Sequence, residues 1–206
     1  DKIALNSDLL TGGGTYTMFG VKAGINKAQG NYNESLKFYQ QQIITLIDNY
    51  SETDILHLPE LEQTKRSISH DAMTDVLASK ARCWYQYYKY GGKDKNKLQE
   101  ALKTIRLFDE LINVIRADFS NSGSNIAWSD LCLDAYENAI EICLALEKET
   151  SDNNYKKQAL YFSEKSKALT LLESFQNTKA NEVAGLSEAD LIKERELKLD
   201  IADLDQ

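Results

Sequence analysis

This sequence is short of proline, valine, cysteine and positive charge. Its 206 residues hold a single proline, Pro59, where average usage of about 5% would give roughly ten. Valine occurs 4 times against 26 leucines. A sheet protein wants β-branched residues on its pleated faces and proline in its turns. Leu, Ala, Glu, Lys and Gln, which are helix formers, dominate instead. Composition alone therefore predicts an all-α fold.

Three cysteines, Cys83, Cys132 and Cys143, are too few for a disulfide scaffold. At helical core positions they read as small hydrophobes of a reduced, cytoplasmic protein. The net charge of −8 disfavours nucleic acid, whose affinity rests on Lys and Arg neutralising phosphates, and also anionic membrane surfaces. No run approaches the roughly 20 apolar residues of a membrane span, and the first residues hold no apolar signal core. The chain starts at Asp1 without an initiator methionine, as an excised piece of a longer protein would. A hydrophobic fraction of 42% argues against disorder and for a sizeable core.

What is present is a pattern of helix pairs. Residues 32–37, 98–103 and 156–161 are alike, each with a polar pair, a small residue and then Leu or a continuing apolar stripe. From Leu36 the stripe runs through Tyr39, Ile43 and Ile47. From Leu98 it runs through Leu102, Ile105, Phe108, Ile112 and Ile115. From Ala159 it runs through Phe162, Leu169 and Leu172. These are the i, i+3, i+4, i+7 spacings of amphipathic helices. A helix precedes each: 16–29 ending at Gly30-Asn31, 71–90 ending at Gly91-Gly92, and 128–149 ending in a polar run. Small residues, Ala23, Ala81 and Ala139 in the first helices and Ser35, Ala101 and Ala159 in the second, would let paired helices approach closely. The resulting domain spans 1–180, with pairs at about 15–49, 70–118 and 126–177, joined by a long connection at 51–69. Residues 177–185 read as a loop or frayed helix, and 181–206 as a C-terminal helix or linker toward a further module. That tail is acidic and only thinly striped by Leu191, Leu197, Ile201 and Leu204. The spacings of 66 and 58 residues between Ser35, Ala101 and Ala159 exceed the period of about 34 of a standard tetratricopeptide repeat.

The run from Gly30-Asn31-Tyr32 to Tyr39 resembles a tetratricopeptide turn. Residues 159–173, beginning Ala159-Leu160-Tyr161-Phe162, resemble the last repeat before the protease-like module of bacterial CHAT-domain proteins (caspase-like, associated with tetratricopeptide repeats). Residues 100–116 and 136–141 are similar to the same region, Asp54-Ile55 to Pro59-Glu60-Leu61 resembles the connection these proteins insert between repeats, and the Glu194-Arg195-Glu196-Leu197 tail resembles the linker that follows. The resemblance implies an α-α superhelix of tetratricopeptide-like pairs, N-terminal to a caspase-like protease. It does not imply a protease in this chain, because the family's catalytic His and Cys lie in the downstream module.

Chemistry-bearing residues are sparse. His57 and His70 are the only histidines, and the cysteines fall mid-helix, away from the loops and helix N-termini that activate nucleophiles. No metal-ligand spacing occurs, so neither metal nor cofactor is expected. Gly12-Gly13-Gly14 lacks the Gly-Lys-Ser/Thr ending of a phosphate loop and reads as a turn between two helices. In the aromatic run at 83–90, Trp84, Tyr87 and Tyr88 are expected to pack. Tyr85, with Arg82 and Gln86, would look into a concave groove lined by the first helices of the pairs. The groove candidates are Lys27, Arg82, Tyr85, Gln86 and Tyr136. The expectation is a non-enzymatic scaffold that binds a protein or peptide, or docks on and regulates its own downstream module. The alternative is self-association into homo-oligomers through exposed terminal helices.

Overall fold

The computed structural model describes residues 2–119, 129–184 and 193, with side chains over 14–116, 130–171 and at 193. Among these residues there are helices and no strands. In chain order they are α1 (Lys2–Ala28), α2 (Tyr32–Leu46), α3 (Leu61–Thr64), α4 (His70–Tyr90), α5 (Lys95–Phe119), α6 (Ser129–Thr150) and α7 (Asn154–Ala184). Residues 1–166 form one compact unit, in which α1 packs on α2, α4 on α5 and α5 on α6. Helices α2 and α4, and α4 and α6, are also neighbours. Residues from Lys167 onward form a second unit, whose described part is the remainder of α7 to Ala184, and Lys193.

The turns follow from local chemistry. Gly30 and Gly92 take φ of +77° and +97°, a region open to glycine without steric cost. Ser69 caps α4 by accepting the Ala72 N–H at 3.2 Å. The Asp94 carboxylate accepts the Asn96 N–H at the start of α5, and Asp152 does the same for Asn154 at the start of α7. The expected stripes form the core: Leu36, Ile43, Leu98, Ile105 and Phe108 are wholly enclosed, with Phe162 nearly so. All six small residues, Ala23, Ala81, Ala139, Ser35, Ala101 and Ala159, are buried. At the first of these crossings the approach is close enough for the Ser35 hydroxyl to donate to the Ala23 carbonyl at 2.8 Å.

Three expectations are corrected. α1 runs unbroken through Gly12-Gly13-Gly14. A helical glycine costs roughly 1 kcal/mol relative to alanine but is not sterically forbidden. α7 continues through 177–184, where Ala, Lys and Glu recur and no glycine interrupts before Gly185. The long connection is 47–69 and holds the short helix α3, started by a reciprocal Glu60–Gln63 capping box. The proposed start of a helix at Trp128 and the tail readings over 185–206, Lys193 apart, lie outside the described residues.

Candidate interaction face

Helices α1, α4 and α6, the first members of the three pairs, bring together four of the five groove candidates. On α4, Arg82, Tyr85 and Gln86 are half-buried, and Lys27 of α1 is half-buried beside them. Arg82 Nη2 lies 3.4 Å from Asp134 Oδ2 of α6. Asp134 is largely in solvent and Arg82 partly so, and the pair contributes little to stability. Tyr85 turns its hydroxyl to Glu141 of α6 and carries the Lys89 ammonium 5.3 Å above its ring. Burial, reinforced by the Glu141 charge, pushes the Tyr85 phenol up to about 12, so it stays a donor at neutral pH. One turn on, the Tyr88 hydroxyl donates to Glu149 Oε1 at 2.5 Å, and that bond with burial raises it to about 12.

At the other side of α4, Tyr16 of α1 donates to the Ala72 carbonyl at 3.1 Å and also meets the Asp75 carboxyl. Asp75 keeps an exposed edge, yet partial burial raises its carboxyl, with Tyr16, Lys27 and Arg82 opposing. Burial likewise lowers the Lys27 ammonium, and Arg82 adds to that, while Cys83 and Asp75 pull the other way. In both groups loss of water outweighs the mutual attraction.

Tyr136 is a correction. It is wholly enclosed, its ring stacked on Phe162 and edge-on to Phe108, and its hydroxyl donates to Asp109 Oδ1 of α5 at 2.7 Å. The face of α6 that looks outward carries Asp130, Asp134, Glu137 and Glu141, all exposed at i, i+4, i+7 and i+11. One position of phase turns a helical side chain by about 100°. Of the aromatic run, Trp84 and Tyr88 are buried as expected. Tyr87 packs its ring between Tyr32 at 5.4 Å and Trp84 at 6.2 Å. The acids of α6 that complete the face, Asp134 and Glu141, were missed. Their helical spacing was visible, but not which side of α6 it marked.

The three thiols are free and buried, and burial is the chief cause that pushes Cys83 and Cys132 up to about 11 and Cys143 to about 12. Such thiols are poor nucleophiles at neutral pH. Cys83 Sγ sits 3.4 Å from Ser35 Oγ, and His70 Nε2 lies 3.0 Å from the Lys65 carbonyl. Among the described residues no hydrogen bond joins a histidine to a cysteine. Nor does any group of three or more His, Cys, Asp or Glu converge as metal ligands there. No described helix is long and apolar enough to cross a membrane. Shallow depressions of about 490, 410 and 360 Å³ lie elsewhere, the largest between Lys103 and Arg106 of α5 and Tyr155 and Gln158 of α7.

No protein-family model, curated protein or solved structure matches this chain.

Proposed function

We propose that the chain is a protein-interaction scaffold of tetratricopeptide-like pairs, whose α1–α4–α6 face holds a protein or peptide segment. The observation that carries the reading is the row Arg82, Tyr85 and Gln86 on α4. It is half-open to solvent and shared with the charged Lys27, Asp75, Asp134 and Glu141 of three successive first helices. Arginine and tyrosine are favoured anchors at interfaces, because each offers a large rigid surface with a polar end. The resemblance to the repeat region of bacterial CHAT-domain proteins adds a role: the face, or the array as a whole, regulates a caspase-like module that follows it. Unpaired buried thiols favour a cytoplasmic setting. We assign this chain no catalysis of its own.

Photo-crosslinking tests the reading. A benzophenone side chain at position 85 or 86 of the full protein should trap the partner, and one at Lys103 on α5 should not. Equal trapping at both faces, or trapping at Lys103 alone, refutes it. The second reading, self-association, is favoured by an apolar stripe on α1: Met18, Val21 and Ile25 are 44%, 57% and 52% exposed at i, i+3, i+7. Light scattering on dilution separates the two. A mass that falls with concentration and becomes monomeric in Val21→Glu supports assembly; a constant monomer excludes it.

A further inference from the structure

Lys80, in the middle of α4, is wholly enclosed. An ammonium carries three N–H donors. Lys80 Nζ has the Gln40 Oε1 acceptor of α2 at 2.5 Å, and among the described residues it has no carboxylate within ion-pair distance. Gln40 is itself enclosed, and its Nε2 donates to the Glu52 carbonyl at 2.7 Å and approaches Tyr50 Oη at 3.4 Å. Tyr50 Oη in turn lies 3.5 Å from the His57 carbonyl. A single file of polar groups therefore runs from Lys80 through Gln40 into the connection 47–69. Gln40 can hold the Glu52 carbonyl only while its oxygen faces Lys80.

The charged and titratable groups facing Lys80 are Glu100 of α5, Asp54 of the connection and Cys83 of α4; Gln40 is the uncharged contribution of α2. Burial brings the ammonium down to about 7, with those three groups opposing. Glu100 is already paired with Lys103 at 2.7 Å on the same helix. Asp54 is on an irregular segment, its Oδ1 occupied by the Leu56 N–H at 3.0 Å. Beside that segment a depression of about 410 Å³, lined by Lys37, Gln41, Thr53, Asp54 and Ile55, admits water to its edge.

We propose that Lys80 is a proton-operated latch for residues 50–57. Neutral Lys80 leaves the segment seated on α2. A proton taken from solvent makes the enclosed ammonium demand two further acceptors, and lifting the segment supplies them as water.

The direction in pH follows from linkage. The open form holds its ammonium with an ordinary lysine affinity and the closed form with a weaker one. The open form therefore binds more protons from about pH 10 down to about pH 7, and opening rises as pH falls through that range, then levels off below it.

The test is amide hydrogen exchange on the full chain from pH 6 to pH 9, each time scale corrected for intrinsic exchange. Opening of peptides covering 50–57 should increase by up to about tenfold per unit between pH 9 and pH 7 and flatten below. Peptides from α6 should not follow. Lys80→Met should leave the 50–57 peptides equally protected at every pH. The wild-type profile decides the matter alone should that variant not fold: a flat profile, or one confined below pH 7, overturns the proposal. So does a dependence that survives in Lys80→Met.

Discussion

Removing the Asp109 carboxylate should be among the most damaging single changes to this fold, and the geometry ranks its neighbours. Asp109 of α5 is 5% exposed. Its Oδ1 accepts from Tyr136 Oη of α6 at 2.7 Å and lies 3.3 Å from Lys165 Nζ of α7. Its Oδ2 accepts from Tyr161 Oη of α7 at 2.6 Å and from Asn113 Nδ2 at 3.4 Å. Lys165 also donates to Asn113 Oδ1. One carboxylate thus bolts three helices together, with its lone pairs filled. Hydrogen bonds to a charged group contribute about 1.5–3 kcal/mol each, and a buried polar atom left unpaired costs about 1–3 kcal/mol. Asp109→Ala strands the Tyr136 hydroxyl, which no water reaches, whereas Tyr161 and Lys165 have solvent to turn to. The expected loss is about 3–5 kcal/mol.

Tyr136→Phe keeps the ring and leaves the carboxylate three partners, so it should cost about 1–2 kcal/mol. Tyr161 is 45% exposed. Water replaces its bond in Tyr161→Phe, and the cost should be below about 1 kcal/mol. Urea denaturation with an unchanged slope reads these differences directly. The double variant of Asp109→Ala with Tyr136→Phe should lose less than the two separately, by about 1–3 kcal/mol, because the stranded hydroxyl is gone. Additive losses, or Tyr161→Phe as harmful as Tyr136→Phe, would refute the reasoning.

Two glycines of α1 should respond oppositely to alanine. At Gly24 an added Cβ meets nothing within 4 Å, so the helix gains about 0.5–1 kcal/mol. At Gly20 the Cβ would lie 2.7 Å from Gln42 Nε2, an enclosed amide that donates to the Tyr16 carbonyl at 3.2 Å. That bond is displaced with nowhere to go, and a net loss of about 1–2 kcal/mol is expected; thermal melts of both variants give the signs. The three thiols should resist a disulfide reagent at pH 8 in the native protein and all react in denaturant. Because burial raises all three above the ordinary thiol value, unfolded thiols ionise first. The thiols' contribution to stability should therefore fall as pH rises above about 9. A native thiol that reacts at once would refute this burial argument.

How much of this was legible depends on which physical signal each feature leaves in the chain. Small residues at helix crossings announce themselves, because only a short side chain fits where backbones approach, and Ala23, Ala81 and Ala139 were placed on that ground. Helix stops at Gly30 and Gly91-Gly92 leave an equally local mark. The triglycine in α1 misled because glycine's low helix propensity is a preference and not a prohibition. Tyr136 misled because an aromatic ring fits a core as well as a groove, and only the neighbours on α5 and α7 decide. Asp109 and Lys80 left no signal at all. Apart from Asn113, their partners lie 27 to 56 positions away, and an acid or a lysine in a helix reads as solvated until its surroundings are known.

The internal spacing also bears on the proposed interaction face. Ala23, Ala81 and Ala139 are each 58 positions apart, and Ala101 and Ala159 are also 58 apart. The second and third pairs are therefore equivalent in both helices. Ser35 lies closer to Ala23 than Ala101 lies to Ala81, so the first pair crosses nearer its turn. Yet four of the couples that bridge the second pair to the third, Arg82 to Asp134, Arg106 to Gln158, Asp109 to Tyr161 and Asn113 to Lys165, are 52 apart, whereas Tyr88 and Glu149 are 61 apart. At these four couples a residue meets not its own counterpart but one six positions earlier, which at 1.5 Å per residue is about 9 Å along the helix axis. Arg82 consequently faces Asp134 and not Ile140. That offset sets Arg82 against Asp134, while Tyr85 and Tyr88 of α4 meet Glu141 and Glu149 of α6 at larger spacings. A segment lying across the face would meet an alternation of charge that the repeat pattern by itself would not produce.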